Sequence, residues 1–185
     1  MKKIILMILV IISFISCKND QKAKLDGENK KETAIDLDLF KVNFDLLVKK
    51  NDNFHLFYTQ DGTINFNEKN SIWLPVKGSE NVQTISFKLP KDVMPTHIRV
   101  DFGLGKNETQ SDVELVSFSI NYFDKVIDAK GVEIFNYFYP NKTSTSVSDG
   151  TAILKRLKKD QDAGPMLYPH ILLTKKLKEI SMGQN

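Results

Sequence analysis

The sequence predicts an all-β fold: a two-sheet antiparallel β-sandwich, jelly-roll-like, placed after a cleaved signal peptide and a disordered tether. Three observations carry that expectation. Apolar and polar residues alternate with a period of two over short segments, turn-forming residues fall between those segments at close spacing, and no long amphipathic helical pattern separates them.

The first element is the export signal, residues 1–16. Lys2 and Lys3 open it, Ile4 to Ile12 are continuously apolar, and Ser13 to Ser16 lead into Cys17. The apolar run is shorter than the roughly 20 residues a permanent membrane helix needs and suits the core of a secretory signal. Cys17 is the one cysteine of the 185 residues. A disulfide framework is thereby excluded, and thiolate catalysis or a cysteine metal site has no material to work with.

The stretch Phe14-Ile15-Ser16-Cys17 resembles the lipobox of bacterial lipoproteins, with Phe14 in place of the usual leucine. The resemblance implies that the Cys17 thiol is alkylated by a diacylglycerol, that the signal is cut before it, and that the new amine is acylated. Two or three acyl chains would make membrane attachment effectively permanent. The alternative is an ordinary secreted protein whose cysteine happens to lie beside the cleavage point. Composition and signal look like those of Bacteroidota lipoproteins, and Lys18 is not the aspartate that retains enterobacterial lipoproteins at the inner membrane. The implied location is the outer membrane, surface-exposed or periplasm-facing, with Asp20 a partial match to an acidic surface-export tag.

Residues 17–36 form the lipidated cysteine and tether. Lys18 to Asp36 carry five lysines and five acidic residues and almost nothing large and apolar. Such a segment cannot bury enough surface to offset its conformational entropy. As a flexible coil it would reach roughly 25 Å. The formal charge of the whole chain is +3, and it falls to +1 when Lys2 and Lys3 leave with the signal. The remaining cations alternate with acids, so no nucleic-acid surface is expected. The one local cluster, Lys155-Arg156-Leu157-Lys158-Lys159, reads as a solvated turn or strand end.

The sandwich is expected over residues 37–173, with 174–185 as a terminal helix or tail. In Phe40, Val42, Phe44, Leu46 and Val48 every even position is apolar, while Lys41, Asn43, Asp45 and Lys49 point the other way, with Leu47 as the exception. Asn51-Asp52-Asn53 turns the chain, and Phe54, Leu56 and Tyr58 resume the alternation up to a turn at Gln60-Asp61-Gly62-Thr63. A short piece near Ile64 to Phe66 follows. Ile72 to Val76 is interrupted by Pro75, which predicts an edge strand or bulge. Val82 to Leu89 carries Ile85, Phe87 and Leu89 on one face, and His97 to Phe102 carries Ile98, Val100 and Phe102 inward before Gly103-Leu104-Gly105. Val113 to Tyr122 and Val132 to Tyr139 are two more strands, the latter with Phe135, Tyr137 and Tyr139 on one face. Thr151 to Leu157 and Pro165 to Leu173 are the last strands expected, and Thr174 to Ile180 a short helix or tail.

The order of these elements is similar to a β-sandwich on the extracytoplasmic side of glycosyltransferase-type bacterial membrane proteins and in related free lipoproteins. The resemblance rests on Phe57, Tyr58, Asp61 and Gly62, then Phe87, Leu89 and Pro90, then Ile98, Arg99, Val100 and Asp101, and spans about residues 42–122. It implies a carbohydrate-binding-module-like sandwich near envelope glycans and brings no catalytic residues with it.

Chemistry in the sequence is sparse. His55, His97 and His170 have no ligand spacing, so no metal is expected from them. Gly103-x-Gly105 lacks the third glycine and the helix of a dinucleotide loop, and no cofactor is expected. The aspartate-containing turn at Asn51-Asp52-Asn53 is compatible with calcium and equally with turn formation alone. Asp45, Asp101 and Glu114 are strand carboxylates that a glycosidase would need to bring into a close pair.

One constellation stands out as a candidate ligand site. His97, Arg99 and Asp101 alternate with the inward Ile98, Val100 and Phe102, so they share the outer face as either a surface ion pair or a polar platform. Trp73 is out of phase with Ile72, Leu74 and Val76 and should face outward, where a flat apolar ring can meet the C–H face of a sugar. The sequence therefore points to a non-enzymatic, lipid-anchored module that binds glycan or an envelope protein. The alternatives are a structural or accessory subunit of an outer-membrane assembly and, last, a small glycoside hydrolase.

Overall fold

The computed structural model describes residues 37–104 and 110–182. The signal peptide, Cys17 and the tether lie outside the described residues. The folded part is an all-β, two-sheet antiparallel sandwich with one helix at its end.

Its strands are β1 (Lys41–Val48), β2 (Asp52–Thr59), β3 (Ser71–Val76), β4 (Gln83–Lys88), β5 (His97–Phe102), β6 (Val113–Tyr122), β7 (Lys125–Lys130), β8 (Phe138–Pro140), β9 (Thr145–Val147), β10 (Ile153–Arg156) and β11 (Met166–Pro169), followed by α1 (Ile171–Met182). One sheet has the order β4-β1-β6-β10-β9, with β7 also paired to β6, and the other β3-β2-β5-β11-β8. Every pairing is antiparallel.

The alternation read from β1 becomes the core. Val42, Phe44, Leu46 and Val48 are fully buried, because β1 is central in its sheet, between β4 and β6. Across the interior they meet Phe54, Leu56, Ile98, Val100 and Phe102 of the second sheet. Phe44 touches Phe102 edge-to-face at 5.7 Å and Phe138 at 6.1 Å, so one ring joins both layers through two aromatic contacts. In β6 the register shifts where β1 passes from Asp45 to Leu46, opposite Ser117 and Leu115. That bulge leaves Val116 outside and changes the phase, so that Val113 and Leu115 point inward and, past the bulge, Phe118 and Ile120 do so.

The turn expected at Gln60 to Thr63 forms around Gly62, whose φ is +79°. Asp61 accepts from the Thr63 N–H at 3.0 Å, and the Thr59 hydroxyl donates to the Thr63 carbonyl at 2.6 Å. Pro75 lies in β3, an edge strand, where a missing ladder donor is tolerated.

Several expectations are corrected. Residues 64–66 are not a strand, and a 3₁₀ turn, Glu68–Asn70, follows them. Val132 to Tyr139 is not one strand. Gly131, at φ +52°, opens a 3₁₀ segment, Gly131–Asn136, and only Phe138–Pro140 pairs. Its aromatics therefore separate: Tyr137 packs 5.2 Å from Phe118, while Tyr139 stands exposed. β7 and β9 have no counterpart in the sequence reading. The last strand ends at Pro169, and the helix begins at Ile171, before Thr174. From there the apolar period changes to that of a helix, with Leu173, Leu177 and Ile180 buried on one stripe.

A candidate ring-lined site on the outer face of the second sheet

The outer face of the second sheet is lined by rings. Because β2 pairs β3 and β5 with His55 opposite both Trp73 and Asp101, and Phe57 opposite Arg99, residues far apart in the chain form cross-strand rows. Met166 is opposite Asp101, and Tyr168 is opposite Tyr139 of β8.

The rings form a series from one edge strand to the other, with Phe66 of the β2–β3 connection bridging over β5, which supplies no ring to it. Trp73 stacks on His55 at 3.6 Å, and His55 meets Phe57 at 3.7 Å. Phe66 lies 6.4 Å from Phe57 and 5.9 Å from Tyr168. Tyr168 stacks with Tyr139 at 5.9 Å, and Tyr139 meets His170 at 6.4 Å. Phe66 comes from the β2–β3 connection, which folds over the sheet and explains why β2 is buried on both faces. At the two ends the rings open to solvent: Trp73 is 44% exposed and Tyr139 42%.

Beneath the middle of this series lies an ion pair. Arg99 donates from Nε to Asp101 Oδ1 at 2.8 Å and from Nη2 to Oδ2 at 2.5 Å. The Phe57 ring lies 4.7 Å from its guanidinium carbon and the Tyr168 ring 5.1 Å. Arg99 and Asp101 keep only 17% and 10% of their side-chain surface. Burial pushes the Asp101 carboxyl above its usual range, against the opposing pull of Arg99.

His55 is buried beside the pair. Its Nε2 has no hydrogen-bond partner among the described residues and lies 3.6 Å from Glu68 Oε2. Burial lowers its pKa, with Glu68 raising and Arg99 lowering it, so the ring is neutral at pH 7. Glu68 itself is 71% exposed.

Of the residues expected from the sequence, Trp73, Arg99 and Asp101 meet within this ring series. His97 shares their face one step along, opposite Thr59. Its Nδ1 lies 3.3 Å from the Thr96 hydroxyl, and its ring lines a separate cleft of about 310 Å³ with Met94, Pro95 and Leu177. Burial lowers its pKa, against Asp61. Cys17 lies outside the described residues.

His55, Phe57, Phe66, Glu68, Tyr139, Tyr168 and His170 complete the site and were not singled out as ligand-binding residues. His55 and Phe57 carried a signal, since both are out of phase with Phe54, Leu56 and Tyr58. Phe66 and Glu68 lie in a connection with no period to read.

Asn51 and Asp52 are engaged in backbone bonds. Asn51 Oδ1 accepts from the Gly78 N–H at 2.8 Å, and Asp52 Oδ1 from those of Asn53 and Leu104. Among the described residues, no three His, Cys, Asp or Glu side chains converge as a metal site would require. Asp45 and Glu114 belong to the first sheet and Asp101 to the second, so they do not form one close set of carboxylates.

Comparison with known proteins leaves this geometry to stand alone: no family model, no curated protein and no solved structure matches the chain.

Proposed function

We propose that this chain is a cell-envelope lipoprotein, held at the outer membrane through acylated Cys17, whose sandwich is a non-catalytic binding module for glycan. The observation that carries the glycan reading is the ring series from Trp73 to Tyr139, apolar plates laid beside the polar groups of Glu68, Arg99 and Asp101. Sugar rings present an apolar C–H face and a rim of hydroxyls, and such a surface answers both. Two carboxylates meet at this face, Glu68 and Asp101, with burial, helped by Glu68, raising Asp101. The bidentate engagement of Asp101 by Arg99 supports binding over hydrolysis, which needs both carboxyl groups free to act.

The test compares the full chain with its Trp73→Ala variant on a glycan array. Binding by the parent that falls about tenfold in the variant is expected, as one aromatic contact is worth roughly that much. Equal binding by both proteins removes the ring platform from consideration. For the anchor, mass spectrometry of the parent and of Cys17→Ser should show acyl chains on the first alone. A variant that stays in the membrane fraction contradicts lipidation as the anchor.

A further inference from the structure

Resting on the glycan reading above, we infer that the ligand of the ring series is an uncharged oligosaccharide that lies across the strands and spans from Trp73 to Tyr139. Two independent features of the face lead there.

The first is where the rings are open. Trp73 is on β3 and Tyr139 on β8, the two edge strands of the five-stranded sheet. Of the Trp, Phe and Tyr rings in the series they are the two exposed ones, and His170, beyond Tyr139, is exposed as well. Phe57 between them is nearly closed, at 6%. Four strand spacings of about 4.8 Å and an offset of two residues along the strands separate Trp73 from Tyr139, so the two plates are roughly 20 Å apart. A monosaccharide cannot touch both. A chain of sugars running perpendicular to the strands can.

The second is charge. Arg99 is the one cation on these strands within the ring series, and it is closed to an incoming anion. Both oxygens of Asp101 hold it, the Met166 sulfur lies 3.5 Å from Nη2, and Phe57 and Tyr168 flank it. Drawing Arg99 away would strand a buried Asp101 carboxylate without its partner. Glu68 is an exposed anion at this face, and neutral His55 does not cancel its charge. A uronate or sulfate approaching this face meets a like charge and finds no free counter-charge from Arg99. A sugar hydroxyl fits instead. It can donate to the exposed Glu68 carboxylate without carrying a charge of its own.

The experiment titrates the full chain with manno-, gluco- and xylo-oligosaccharides of increasing length and with uronate-containing chains of matched length. Affinity for a neutral series should rise with length and level off once both plates are spanned. Trp73→Ala and Tyr139→Ala should each cost about tenfold on the long chains, while each variant keeps the parent's circular dichroism. Glu68→Lys should gain binding to the uronate chains. Trp73-dependent binding that favours uronate chains overturns the inference while leaving the glycan reading intact. Affinity independent of length overturns the spanning geometry in the same way. A parent that binds neither series, on the array or in solution, defeats both.

Discussion

The two outer faces of the sandwich are built on the same antiparallel frame and answer the problem of exposure in opposite ways. On the first sheet the outward residues at its centre are short and polar and bond to one another across strands. Asn43 Nδ2 donates to Ser119 at 3.2 Å and to Asn121 at 2.8 Å, while Thr84 and Ser117 each donate to a different oxygen of Asp45 at 2.6 Å. On the second sheet the outward residues are rings around one buried ion pair. Each face holds a carboxylate on a central strand, and the two shift in opposite directions. Hydroxyl donors from Ser117 and Thr84 lower Asp45, and burial raises Asp101. The lesson is that a face which satisfies its own polar groups asks for no partner. A face that leaves large rings open has apolar surface to offer a ligand.

The largest test of that difference is Arg99→Met. It leaves Asp101 buried without its cation and should cost about 3–5 kcal/mol of stability in urea unfolding. A loss below about 1 kcal/mol would show that water reaches Asp101 and that the pair is an ordinary surface ion pair.

On the first sheet, Asp45→Asn should cost much less, about 1 kcal/mol by the same measurement, since two hydroxyls lose a charged acceptor and regain water. A cost equal to that of Arg99→Met would erase the contrast between the faces.

Acid titration of stability separates the faces by sign. Asp45 has a folded pKa below its ordinary 3.8. The unfolded chain therefore binds its proton more readily, and the contribution of Asp45, present above pH 3.8, is lost as pH falls through the folded value. Asp101 has a folded pKa above 3.8. Its contribution is full below pH 3.8 and is lost as pH rises through the folded value. Stability profiles of Asp45→Asn and Asp101→Asn, each subtracted from the parent, should accordingly slope in opposite directions in this acidic range. Parallel slopes would contradict the assignment.

The most local effect belongs to Trp73→Ala, whose side chain is nearly half exposed at the edge of the sheet. The same variant uncovers His55, whose pKa is lowered mainly by burial, so the His55 titration followed by NMR should move up toward 6.5. An unmoved His55 would mean that Phe57 and the β2–β3 connection, not Trp73, keep water from it.

Much of this contrast was legible in the chain. The alternation through Phe40 to Val48 announces a strand with one apolar face, and Val42, Phe44, Leu46 and Val48 are the residues that close the core. Trp73 is out of phase with its apolar neighbours, and Pro75 beside it marks an edge; both are found so. Arg99 and Asp101, two apart on a strand, had to share a face. The failures are equally local. Phe135, Tyr137 and Tyr139 keep a period of two, yet Phe135 lies in the 3₁₀ segment that Gly131 opens in the left-handed region, Tyr137 follows that segment, and only Tyr139 is in a strand. β7 and β9 are short, mixed in polarity, and held by pairing with β6 and β10.

What the sequence determined by itself is therefore one-dimensional: which side chains along each strand turn inward, where the chain must turn, and which residues are left facing out. Only the tertiary structure decided which outward residues became neighbours. Trp73, His55, Phe57, Phe66, Tyr168 and Tyr139 come from four strands and a connection, and inter-strand hydrogen bonds between distant segments bring them into one series. It also decided that Asp101 is buried while Asp45 is not. Period fixes the face a residue takes, but its surroundings are set by partners that no local spacing names.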